Sequence, residues 1–282
     1  MKLRAKFSIL AALVLAVALL SSSCARTSVD LVAGSSHITN IVNDISDGKL
    51  KVRVLIPPEA CPGHYDIKPG DIEALTKCKA LLIHDYQQNM KNVTSAIEAA
   101  KSPNLVIKVL EVKGNWMVPS VQAEGVGKIA EILAELDKGN ADFYRQRAEQ
   151  RKQAILAKGG EVKKRLEAAN LAQVKVICAD MQAGFVKWAG FDVVATYGRP
   201  EELSVGQVAE LVAKAKQTGV VLVIDNLQSG ATATSEAMAR DIGAVQVTIS
   251  NFPGGLKGTE SWEKALDRNV ELLFEALAKA KK

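Results

Sequence analysis

The 282-residue sequence is poor in the residues from which active sites are most often made: it has three histidines, four cysteines and only 5% aromatic residues. It contains no His-Glu-x-x-His, Gly-x-Ser-x-Gly, Gly-x-x-x-x-Gly-Lys or Cys-x-x-Cys. Zinc-peptidase, serine-hydrolase, P-loop and thioredoxin-type chemistry therefore lack their signatures. No other catalytic constellation replaces them, so the chain is expected not to be an enzyme and to need no catalytic cofactor. There is no low-complexity tract, and 48% hydrophobic with 24% charged residues is a globular composition. The formal charge of +5 includes Lys2, Arg4 and Lys6; without these three it is +2 (5 − 3). That balance implies no nucleic-acid partner.

What is present begins with an address. The basic residues precede an apolar run from Phe7 to Leu20 and then Ser21-Ser22-Ser23-Cys24, which looks like a bacterial lipoprotein signal peptide over residues 1–23, with lipid on Cys24. The run is short for a hydrocarbon core, which takes about 20 apolar residues to cross. Ser21 stands where lipoproteins usually carry an aliphatic residue, which leaves cleavage by an ordinary signal peptidase as the alternative. The expected place is outside the cytoplasm, held by lipid at the outer face of the cytoplasmic membrane or in the periplasm. The other cysteines, Cys61, Cys78 and Cys178, are an odd number and cannot all pair within one chain. Cys78 and Cys178 adjoin apolar runs, where a small buried hydrophobe is the simpler role.

Short β-branched runs then alternate with helix-length segments. Four lie at 28–34, 50–56, 79–85 and 104–110, and four more at 173–179, 191–196, 219–225 and 244–250. Near-continuous apolar strands separated by helices are the pattern of parallel sheets covered on both faces. Between the sets, 137–171 is dense in strong helix formers and predicts one long helix, loosened at Gly159-Gly160. The expected fold is α/β, with two lobes each built on a parallel sheet of about four strands flanked by helices, joined by a long linking helix. The divisions are a lobe over 24–120, a helical segment over 121–171 and a lobe over 172–282.

In such sheets ligands bind beyond the carboxyl ends of the strands. His37, His64 and His84 each follow or end a strand of the first lobe. The second lobe offers the strand-end stretches 178–184, 196–202, 225–230 and 250–255. Each histidine also has an ordinary reading: His37 bonds its loop or caps the next helix, and His84 ends a strand without touching a ligand. Asp180 and Asp225 are equally able to cap helices.

The order of segments resembles the metal-type solute-binding lipoproteins of ABC importers, the zinc and manganese proteins related to TroA. "VLIPPEACPGHYDIKPGDIEALTKCKALLI" is similar to that family's strand, Pro-His-x-Tyr-x-Pro loop and helix. "AEILAELDKGNADFYRQRAEQ" resembles the entry to its linking helix, "VIDNLQSGATATSEAMARDIGA" its second lobe and "ESWEKALDRNVELLFEAL" its closing helix. The resemblance implies a monomeric carrier that closes two lobes over zinc or manganese and delivers it to a membrane permease. It also implies a metal ligand at His64, since Tyr65 and Pro69 keep the flanking types, each displaced by one place.

Most of the family's other ligand positions are replaced. In "GNWMVP", Trp116 and Pro119 match, but Gly114 and Val118 stand where histidine and aspartate are usual. Asp180, Met181 or Gln182 takes the third position, and Ser250 or Asn251 the fourth. One matched histidine does not make a zinc site, which wants about four donors. Two readings follow. The site is rebuilt from His37, His84 and His64, with Cys61 or Met181 as soft donors; or the cargo is organic or chelated, held against Trp116, Tyr197 and the polar loops. A third reading, a membrane-anchored adhesin or scaffold that lost transport, stays open on composition alone.

Overall fold

A computed structural model describes residues 30–230 and 232–281. The leader and Cys24 lie outside the described residues. Among the described residues no helix is long and apolar enough to cross a membrane.

All eight expected strands form. In the first lobe they are β1 (Leu31–Ala33), β2 (Val52–Val54), β3 (Ala80–His84) and β4 (Val106–Leu110), in the order β2-β1-β3-β4. In the second they are β5 (Lys175–Ala179), β6 (Asp192–Tyr197), β7 (Leu222–Asn226) and β8 (Val245–Ile249), in the order β6-β5-β7-β8. Every pairing is parallel. The central strands β1, β3 and β7 are buried at every residue, as strands covered by helices on both faces must be.

The helices are α1 (Ser36–Ser46), α2 (Pro69–Lys77), α3 (Lys91–Ala100), α4 (Pro119–Leu136), α5 (Ala141–Ala168), α6 (Ala183–Ala189), α7 (Val205–Thr218), α8 (Ala233–Ile242) and α9 (Trp262–Ala280). Their apolar spacing explains which faces they bury. In α1, Ile38, Ile41, Val42 and Ile45 recur at i, i+3, i+4 and i+7 and are fully buried. Ser261 caps α9 by accepting from the Lys264 N–H, and Ser204 caps α7 by accepting from that of Gln207.

The linking helix forms as one piece, and the expected loosening at Gly159-Gly160 does not occur: α5 runs unbroken for 28 residues, about 42 Å at 1.5 Å per residue. Gly159 instead permits a close approach, since a Cβ there would overlap the ring of Pro119. That contact, with Arg145 bonded to Glu131, makes α4 and α5 an antiparallel hairpin. Beyond residue 160 α5 continues to the second lobe, where Lys163 donates to the Trp188 carbonyl at 2.7 Å. Arg151 reaches Asp44 of α1 at 2.7 Å and also the Glu263 carboxylate of α9.

One apolar cluster runs from Ile41 and Leu31 through Trp116, Ile129 and Ile155 to Trp262 and Ile224, so on the side of the linking helix the lobes share a core. Separate clusters fill the outer faces of the two sheets. Burial of this size is the main force that sets the relative position of the lobes. Cys78 and Cys178 are buried and unpaired, and burial raises both thiols above their usual range, Cys178 to about 12.

Candidate functional site

The carboxyl ends of the two sheets face each other across a cleft with a cavity of about 350 Å³. His37, His84, Tyr86, Met90, Asn115 and Trp116 line it from the first lobe, and Met181, Arg199, Asn226, Gln228, Asn251 and Phe252 from the second.

His84 ends the central strand β3 and is 2% exposed. Its backbone N–H donates to Gln87 Oε1 at 3.0 Å, and Gln87 Nε2 donates to the Gly34 carbonyl at 2.9 Å, which staples the ends of β1 and β3 together. Gly34 has to be glycine here, because a Cβ would occupy the space of the Gln87 amide. Ser35 Oγ and His84 Nε2 are hydrogen-bonded at 2.7 Å. The His84 ring stacks on Tyr86 with centroids 5.1 Å apart and meets Trp116 edge-on at 4.4 Å. Burial, and then the neighbouring His37, lower its pKa from 6.5 to about 3.

His37 sits in the first turn of α1, 1% exposed, with its ring 5.7 Å from Trp116 and 5.6 Å from Phe252. Its Nε2 lies 2.7 Å from the Asn251 carbonyl in the opposite lobe. A carbonyl only accepts, so Nε2 carries the proton and Nδ1 holds the lone pair, buried near the Gln122 amide. Desolvation brings its pKa down to about 4, only partly offset by the Asn251 bond. Both imidazoles are neutral at pH 7. For His37 to ligate a metal through Nε2, the bond between the lobes has to open.

The amides of the wall are bonded to one another. Asn115 Nδ2 donates to the Met181 carbonyl and to Asn251 Oδ1, both at 2.8 Å, and its Oδ1 accepts from the Met117 N–H. Gln228 Nε2 donates across the cleft to the Pro58 carbonyl at 2.7 Å and to Ser250 Oγ at 3.0 Å, while its Oε1 accepts from the Asn251 N–H. Asn226 Nδ2 donates to Ser229 Oγ, and its Oδ1 accepts from Gln182. Behind them Trp262 Nε1–H donates to the Trp116 carbonyl at 3.0 Å.

The expected site residues thus fall into two groups. His37, His84, Trp116, Met181 and Asn251 meet at the cavity. His64 is on the rim: its side chain is 64% exposed, its Nε2 is 3.3 Å from Arg199 Nη1 and its Nδ1 is 3.9 Å from Glu201. Asp180 is exposed beside β5. Gln182, Tyr197 and Ser250 stand behind the wall, with Tyr197 donating to the Ile224 carbonyl and Ser250 Oγ fixing Phe252. Asp225 is buried, accepts from Ser235 and Asn226, and has its pKa raised by desolvation. Among the described residues no three histidine, cysteine or acidic side chains lie close enough together to hold a metal ion. Sequence reasoning missed Ser35, Tyr86, Met90, Asn115, Asn226, Gln228 and Phe252. Asn115 and Gln228 lie inside stretches already singled out, next to Trp116 and after β7, but nothing in their spacing shows that they bond across the cleft.

Residues 31–276 match the model of the ZnuA family, described as the periplasmic component A of a zinc-uptake complex. The chain belongs to this family. Solved structures agree on the fold at low identity. The periplasmic zinc-binding protein TroA from Treponema pallidum is 19% identical over 88% of this chain and 98% of its own, with a TM-score of 0.73. FpvC from P. aeruginosa, solved in complex with Ni2+, is 19% identical over 90% and 98%, with a TM-score of 0.74. A ZnuA crystal structure is 21% identical over 88% and 99%, with a TM-score of 0.69. No curated protein sequence matches the chain.

Proposed function

We propose that this family member is the extracytoplasmic solute-binding component of an ABC importer, a monomer without catalytic activity that carries a metal ion or metal-containing solute to a membrane permease. The observation that carries the reading is the cavity between the carboxyl ends of the two sheets, walled by both lobes and holding two neutral imidazoles. Neutral imidazole is the metal-binding form, and clefts at this edge of α/β sheets are where ligands sit. In this reading His84 is the interior donor and Met90 and Met181 are soft neighbours. His37 is a latch to Asn251, and His64 acts from the rim through Arg199. Lipid on Cys24 keeps the carrier near its permease.

The test is uptake of radioactive zinc, manganese and nickel, each free and chelated, by cells lacking the gene. Uptake of at least one form is expected to fall and to return with the wild-type gene but not with His84→Ala. Unchanged uptake of every form overturns the reading.

A further inference from the structure

Resting on the reading that the cleft carries a metal-containing cargo, we propose that the metal arrives already chelated: the site takes a compact complex of the metal with an aromatic chelator that bears a carboxylate, sulfonate or phenolate, rather than a bare cation. Three observations converge on this. First, the cavity of about 350 Å³ is far larger than an ion needs; a water claims roughly 30 Å³ of liquid, and pockets for organic molecules begin near 300 Å³.

Second, the polar wall is already spent on itself. The Asn115, Asn226 and Gln228 amides and the His37 Nε2–H all bond to protein groups, and among the described residues no carboxylate lines the cavity. A divalent cation entering it would shed its hydration shell and meet no anionic ligand in return, and an uncompensated charge is costly to desolvate. A complex brings its own donors and leaves at most one position for a neutral group such as His84.

Third, the surface left for contact is apolar, made by Trp116, Tyr86, Phe252 and the thioethers of Met90 and Met181, and the one charged group on it is cationic. Arg199 is 27% exposed at the mouth, with Glu201 as a loose partner at 4.0 Å. A planar guanidinium with unfilled donors suits a carboxylate, sulfonate or phenolate on the cargo, while the rings suit the body of an aromatic chelator.

The test is calorimetric titration of the mature protein with three sets of ligands. These are zinc and nickel as buffered free ions, their equimolar complexes with pyridine-2,6-dicarboxylate and 8-hydroxyquinoline-5-sulfonate, and the two chelators without metal. At least one complex should bind about a hundredfold tighter than its free ion and about tenfold tighter than its free chelator. Tyr86 is exposed and Arg199 half-buried at the mouth, outside the apolar clusters, so the fold should survive Arg199→Ala and Tyr86→Ala; each should weaken the complex about tenfold. If free zinc or nickel binds tightest, the inference falls and the carrier function stands. If the chelators bind as tightly as their complexes, or nothing binds, the inference and the metal reading fall together.

Discussion

Lobe one and lobe two repeat the same strand order, yet they bring different proportions of ring and amide to the cleft, with Asn115 the amide of lobe one and Phe252 the ring of lobe two. Lobe one supplies rings: Trp116 contacts both His37 and His84, and Tyr86 stacks on His84. Lobe two supplies amides and one guanidinium, with Asn226, Gln228, Asn251 and Arg199. The His84 ring is fixed from within its own lobe by Ser35, and its backbone by Gln87, while the His37 ring crosses to the Asn251 carbonyl. Two of the amides are fixed by crossing to the other lobe, Gln228 at the Pro58 carbonyl and Asn251 at Asn115. A shared topology therefore says where a cleft will be, and the strand-end residues decide what it can hold. Grip falls mainly to lobe one and closure mainly to lobe two, with the His37 latch of lobe one as its counterpart.

The largest expected effect is on stability against pH. The folded-state pKa values, about 4 for His37 and about 3 for His84, lie below the ordinary 6.5. Between pH 6.5 and those values the unfolded chain takes up protons that the native state refuses, so stability is full above 6.5 and falls as pH drops. At pH 4 the loss is about 3 kcal/mol for each imidazole. Chemical denaturation from pH 7 to 4 should show this slope, roughly halved in His37→Gln; an unchanged slope in that variant would remove the latch from the account.

Next is Trp116→Ala, which empties the space between His84 and Gly125 and is expected to cost about 3–5 kcal/mol, read from the urea midpoint. Gln228→Ala, in the opposite wall, should cost less, about 1–3 kcal/mol, mainly by leaving the Pro58 carbonyl and the Asn251 N–H without partners. If the amide costs more than the ring, grip and closure are assigned the wrong way round. The smallest effect is expected at His64: the exposed ring should change stability by no more than about 0.5 kcal/mol on substitution by alanine. It should also weaken cargo binding less than His84→Ala does.

These contrasts follow the line between what the sequence makes legible and what it hides. The strands show because β1, β3 and β7 are covered on both faces and must be apolar throughout. The linking helix shows by propensity. Its continuity through Gly159-Gly160 does not, because the reason is the Pro119 ring, 40 residues away in sequence (159 − 119). At the site, His84 and Trp116 are legible as chemistry placed beyond strand ends. The path of the loop over 57–68 is not, and it turns His64 out toward Arg199. The amide network is hidden for the same reason: Asn115 meets Asn251 across 136 positions, and no local pattern encodes such a bond.

The cleft is a self-satisfied pocket that no carboxylate among the described residues lines, suited to a cargo that brings its own metal ligands. Native mass spectrometry of the untagged protein, isolated from the envelope of its own cells, tests this most directly. The predicted result is an added mass that contains a metal together with an organic component, and that is diminished in Arg199→Ala. An added mass equal to a bare ion, and undiminished in that variant, would contradict it.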